Sequence, residues 1–164
     1  MQRKQHGFSL IEVLVTLIIV SIGMMGIIGT QLISAKNVNN AELRSLATYF
    51  AYDMAERMRA NPDGVDLGSY NFIIGTETDP GVDCSSGCSA GTLAQYDAFV
   101  WNDMIDNPIA DNTGTAPRGL GPNALGTVTL TSGVYTIAVT WNEQDRNDTG
   151  GNILPQTLSI EFLL

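Results

Sequence analysis

Three scarcities bound what this 164-residue chain can do: one histidine (His6), two cysteines (Cys84 and Cys88), and eight basic residues against seventeen acidic ones. Because His6 precedes everything that could fold into a domain, a Ser-His-Asp relay and a histidine-built zinc site are excluded from that domain. The sequence also lacks a G-x-G-x-x-G, a P-loop and a G-x-S-x-G turn. Acid pairs such as Asp103 with Asp106 occur, but in so acidic a chain they read as a solvated helix face. The net charge is −9, and the stretch between Arg59 and Arg118 carries nine Asp or Glu residues with no Lys or Arg. Such a surface repels phosphate backbones, so nucleic acid is not an expected partner. These absences point away from an enzyme, and no cofactor is implied.

Charge is scarce in a second sense. From Phe8 to Gly29 the only ionisable side chain is Glu12. About 20 apolar residues suffice to cross a bilayer core, and this run meets that length. It exceeds the apolar stretch of about 7–15 residues in a secretory signal, and cleavage after Ala35 would leave bulky Ile33 where a small residue is needed. The segment therefore reads as a retained span. Arg3 and Lys4 precede it, which favours a cytoplasmic N-terminus and sends everything after Ile33 to the other side. In that oxidising compartment an isolated pair, Cys84 with Cys88, reads as a disulfide. Its loop is so short that the bridge stiffens a local turn more than it stabilises the domain, by about 2 kcal/mol.

Beyond Gln31 the pattern becomes amphipathic. Leu43, Ala47, Phe50, Met54 and Met58 recur at helical spacing, with Arg44, Glu56, Arg57 and Arg59 on the remaining surface. Asn61-Pro62 is a natural stop, so one helix is expected from about Phe8 to Ala60. Gly23, Gly26 and Gly29 weaken it near the end of the apolar run. Residues 61–91 read as loop, with a short strand within Tyr70 to Ile74. Thr92 to Ile105 shows Leu93, Tyr96, Val100 and Met104 at helical spacing, with Thr92 as the expected cap. After a second loop, 106–126, strict alternation around a Ser132-Gly133 turn predicts a hairpin. Val128 and Leu130, then Tyr135, Ile137, Val139 and Trp141, share its inner face. A last strand places Leu158, Ile160, Phe162 and Leu164 on one face. The expected fold class is α+β, one long N-terminal helix packed on a small antiparallel β-sheet. Between the last two strands, Asp145, Asn147 and Thr149 alternate before Gly150 as in the opening of a calcium loop. Gln156 stands where the bidentate glutamate belongs and no helices flank the loop, so it reads first as a polar connection.

A lone carboxylate within a membrane span costs about 2.5–3.5 kcal/mol, and something must offset it. The residues around it carry a resemblance. Gly7 to Val15, "GFSLIEVLV", after a short basic leader resembles the processing site of type IV prepilins and of the related type II secretion pseudopilins. His6 stands where Lys or Arg usually precedes the glycine. The helix end "AYDMAERMRANP" (Ala51 to Pro62), the middle cysteine pair and the strand "YTIAVTW" together look like the PilV group of minor pilins. The resemblance implies a type IV pilin-like fold with residues 1–7 as a cleaved leader, 8–30 as the membrane and assembly half of the helix, and 31–164 as a periplasmic α+β domain. It implies cleavage by a prepilin peptidase between Gly7 and Phe8, N-methylation of Phe8, and pairing of Glu12 with the new Phe8 amine of a neighbouring subunit.

The implied function is that of a minor pilin, priming assembly of a type IV pilus and sitting at or near its tip in surface attachment and twitching. The implied partners are other minor and major pilins, the prepilin peptidase, an inner-membrane assembly platform and a tip adhesin, with the inner membrane as host before assembly. Two other readings stay open. One is a minor pseudopilin of a type II secretion system. The other is a signal-anchored periplasmic enzyme or binding domain in which the Gly7 to Glu12 pattern is accidental.

Overall fold

The structure, a computed structural model, describes residues 7, 9–106, 119–145 and 151–163. Its elements are α1 (Leu10–Ala60), α2 (Pro62–Asp66), β1 (Phe72–Ile73), a 3-10 turn (Cys84–Ser86), α3 (Ala90–Asp106), β2 (Leu125–Thr131), β3 (Val134–Gln144) and β4 (Ile153–Phe162). The chain forms two compact units, Met1–Asn39 and Asn40–Leu164.

In the first unit, α1 is preceded by Ser9, whose carbonyl accepts from the backbone N–H of Glu12 (3.0 Å) and Val13 (3.3 Å). Ser9 precedes the first helical residue, so the helix starts just after the expected Phe8. Its best 18-residue window has a mean hydropathy of 2.5 and none of it is buried. Length and apolarity suffice to cross a membrane.

The second unit is α+β. Residues 40–60 of α1 present Leu43, Ala47, Phe50, Ala51, Met54, Ala55 and Met58 as a buried stripe. The expected positions are all there, and two further alanines widen the stripe. The strands form one antiparallel sheet in the order β1-β2-β3-β4, so β1 adds a fourth strand to the expected three. Ser132 (φ 53°) and Gly133 (φ 83°) make the tight turn between β2 and β3, the pair of left-handed residues that matches the strands' twist. Tyr135, Ile137, Val139 and Trp141 are buried, as the alternation requires. Val128 is buried with them, whereas Leu130, near the end of β2, is exposed. On the edge strand β4, Leu158, Ile160 and Phe162 are half-buried against the core; Leu164 lies outside the described residues.

Three local expectations are corrected. The loop expected over 61–91 opens with α2, because the Asn61 side chain accepts from the Gly64 N–H while Pro62 takes the first turn. A cap-and-proline pair that ends one helix therefore also starts the next. Helix α3 begins at Ala90 rather than Thr92, with Ser89 as its cap: Ser89 Oγ accepts from the Thr92 N–H at 3.3 Å and its carbonyl from the Leu93 N–H at 2.8 Å. The face that α3 buries is also rotated from Leu93, Tyr96, Val100 and Met104, which are half-buried, to Ala94, Ala98, Trp101 and Ile105. Two alanines allow close packing, and Trp101 Nε1 donates to the Phe50 carbonyl at 2.9 Å, tying α3 to α1.

Candidate functional site

The N-terminal residues stand as a chemical sequence along one helix start. Gly7 is exposed and precedes α1, with nothing within 4 Å of the position a Cβ would take. Phe8, the expected cleavage partner and methylation site, lies outside the described residues. Glu12 is the third residue of α1, exposed, and the only acidic residue in its first turn. There a carboxylate interacts favourably with the positive end of the helix dipole, worth about 0.3–1 kcal/mol, which offsets only part of its cost in hydrocarbon.

On either side of Glu12 the apolar side chains are uncovered: Leu10 is 84 % exposed and Met25 73 %. A contiguous apolar surface of this kind is a contact surface, for lipid or for other helices. Gly23, Gly26 and Gly29 all lie within the helix, and at each an added Cβ would meet nothing within 4 Å.

In the second unit, Cys84 and Cys88 form a disulfide with a Cα separation of 5.2 Å. Asp83 caps the turn between them through the Ser85 N–H (2.9 Å), a bond that holds its carboxyl below the ordinary range. Gly87, at φ 104°, supplies the backbone conformation that lets so short a loop close. Asp145 uses its backbone N–H to bond the Asn152 carbonyl at 2.8 Å; Asn147 and Thr149, the other residues of the expected calcium loop, lie outside the described residues. Among the described residues, no three His, Cys, Asp or Glu side chains come together as a metal site. Of the acid pair on α3, Asp106 accepts from the Asn123 N–H at 2.9 Å while Asp103 faces solvent. This is the arrangement of a loop anchor beside a solvated residue.

Two polar clusters were hidden from periodicity. Arg57, expected on the open surface, instead bridges Asp53 (2.8 Å) and Asp97 (3.0 Å). Asp97 is 7 % exposed and also accepts from the Tyr70 hydroxyl at 2.7 Å, while Asn61 Nδ2 donates to that hydroxyl at 3.1 Å. Burial, and then the hydrogen bond to Asp97, push the Tyr70 phenol well above its usual pKa. The second cluster joins Arg44 to Glu143 through two bonds, at 2.8 and 2.9 Å, with Trp141 Nε1 donating to the same carboxylate at 3.2 Å. Both clusters fasten residues 40–60 of α1 to the rest of the second unit, Arg57 through α3 and Arg44 through β3. The sequence signal that could have found them is a charged residue recurring on the edge of an otherwise apolar helical stripe.

Comparison with known families finds two matches, which together cover residues 2–99. A model of the prokaryotic N-terminal methylation motif matches residues 2–28, and a model of type IV pilin Tt1218 matches residues 29–99. No curated protein and no solved structure matches the chain.

Proposed function

Because the chain is type IV pilin-like, we propose that it is a minor pilin of a type IV pilus, of the PilV kind, which primes fibre assembly and sits at or near the tip. The observation that carries this reading is the helix beginning at Leu10. Its first part, residues 10–35, is apolar, exposed and marked by one carboxylate, Glu12, inside a matched methylation motif. A membrane anchor alone has no use for that carboxylate. An assembly interface does.

In this reading a prepilin peptidase removes Met1 to Gly7 and methylates the amine of Phe8. The span holds the chain in the inner membrane with residues 31–164 in the periplasm. On insertion, the Phe8 amine of one subunit and Glu12 of another pair in a low-dielectric environment, which offsets the desolvation of each and sets axial register. The apolar stretch then exchanges lipid for the helices of other major and minor pilins. The assembly platform and its ATPase supply the work, and the chain's own chemistry is recognition rather than turnover. A tip adhesin is the partner its exported domain would help to present, in attachment and twitching.

N-terminal sequencing of the protein from cells with and without prepilin peptidase tests this. Processing to Phe8 only in the presence of the peptidase is the expected result, and an uncut chain in both sinks the reading. Loss of twitching with unchanged protein secretion in a deletion strain separates a pilus subunit from a secretion pseudopilin.

A further inference from the structure

The two edges of the sheet are managed differently. β1 is only two residues long, and just past it the Glu77 carboxylate accepts from the N–H groups of Ile74 (2.7 Å) and Gly75 (3.1 Å). β4, at the other edge, runs for ten residues from Ile153 to Phe162. Proteins blunt such an edge with proline, lysine or brevity, because its unpaired N–H and C=O groups are a template for another strand. From Gln156 to Phe162 the strand has no proline, no basic residue and one charge, Glu161.

The register says which backbone groups are open. The tight Ser132-Gly133 turn makes Thr131 and Val134 a hydrogen-bonded pair, so Val134, Thr136, Ala138 and Thr140 bond β2 and the alternate residues of β3 bond β4. Among their partners are Leu158, Ile160 and Phe162. Thr157, Ser159 and Glu161 therefore turn their N–H and C=O groups outward, all three are exposed, and no backbone bond from outside the sheet reaches them among the described residues. Pro155 stands in the same outward phase, where a missing N–H costs the ladder nothing. Beside this edge Leu158, Ile160 and Phe162 are only half-buried, and a cleft of about 270 Å³ lined by Arg44, Trp141, Gln156, Thr157 and Leu158 opens on the inner side.

We infer that β4 is extended by a strand from another protein of the fibre, one that is apolar at alternate positions and carries Lys or Arg opposite Glu161. The inference rests on the assembly reading above. Main-chain bonds hold the added strand, and its side chains select it. Alternate positions fall beside Leu158, Ile160 and Phe162, where apolar side chains complete the half-covered inner face. Between them, on the outer face, a cation meets Glu161, the one charge on β4. A second copy of this chain is the poorer partner: at a net charge of −9 copies repel one another, and its own β4 has no cation to offer.

Photo-crosslinking in fibres sheared from cells tests it, with p-benzoylphenylalanine in place of Thr157 in the full chain. Mass spectrometry should find position 157 joined to an extended segment of another fibre protein, with apolar residues at alternate positions and a Lys or Arg in step with Glu161. Ser159→Pro, which removes an outward N–H and leaves the ladder to β3 intact, should lower that link about tenfold, as for the loss of one good hydrogen bond. If that variant does not fold, Glu161→Lys, which sets cation against cation, must lower the link likewise. A link undiminished in the folded variants overturns the inference. So does a chain present in the fibre with position 157 joined only to its own residues, to β4 of a second copy or to nothing, and the assembly reading then stands. A chain absent from the fibre overturns both.

Discussion

Gly126 lies directly against Trp101: a Cβ built on this β2 residue would stand 2.2 Å from the indole Cη2 and 2.3 Å from Cζ3. Trp101 cannot retreat, since it is fully buried and its N–H is bonded to the Phe50 carbonyl. The Gly126 N–H is itself held by Asn102 Oδ1 at 2.7 Å, so strand and helix are locked in register. Gly126→Ala should therefore cost about 3 kcal/mol, the upper end for overpacking by one methyl group. Denaturant unfolding of the detergent-solubilised chain measures it. Combined with Trp101→Phe, which opens space at the clash, the cost should be less than the sum of the two single changes. An unchanged midpoint for Gly126→Ala would mean that the packing is looser than these distances state.

This contact also shows what the sequence could and could not reveal. Periodicity found the stripe on residues 43–58 and the inner face of β3 because both follow from alternation of apolar side chains, a property of single residues. It misplaced the buried face of α3 because that face holds two alanines and an aspartate, whose burial depends on partners far along the chain. Asp97 is tolerated inside only because Arg57 and Tyr70 meet it there, 40 and 27 residues away. The matched methylation motif, residues 2–28, was legible for the opposite reason. Its meaning lies in residues that are consecutive, from Gly7 to Glu12.

The Arg57–Asp97–Tyr70 cluster should govern alkaline stability. A phenolate is the charged form, and burial together with Asp97 raises the folded pKa of Tyr70 above the ordinary value near 10. The corresponding stability is complete below about pH 10 and is lost as pH rises past that value, because the unfolded chain then releases a proton that the folded chain retains. Tyr135 is raised in the same direction, by burial and then by Asp66, and adds to the slope. Tyr70→Phe should cost about 1 kcal/mol at neutral pH and flatten the decline between roughly pH 9 and 11. Asp97→Asn, which leaves Arg57 facing a neutral group on that side, should cost about 3 kcal/mol at pH 7. Melting curves taken across this pH range check all three, and a parallel decline in Tyr70→Phe would exclude the phenol as the source.

Cys84 and Cys88 should matter locally. Their loop spans four positions in sequence and no core residue lies within it, so Cys84→Ser with Cys88→Ser should lower stability by about 2 kcal/mol or less. Hydrogen exchange in that variant should quicken around residues 83–89 and stay unchanged at Val128, Ile137 and Val139. Collapse of the whole unit on reduction would show that the bridge holds the core after all.

Glu12 carries the strongest prediction because two events that share the same few residues come apart there. In the proposed processing the peptidase acts at Gly7, which is exposed ahead of the helix and five residues before Glu12. Assembly, in the proposed pairing, requires a carboxylate to meet the new amine of Phe8 in another subunit, where an unpaired charge would be left in hydrocarbon. Glu12→Ala should thus be cut to Phe8 as efficiently as the natural chain, read by N-terminal sequencing. It should nevertheless enter fibres about tenfold less well, and Glu12→Gln, which keeps the shape but not the charge, should fail alike. Sheared-fibre yield and twitching zones measure the second step. Full incorporation of Glu12→Gln would show that the carboxylate acts as a neutral group, and the register would then have to come from the apolar contacts of α1 alone.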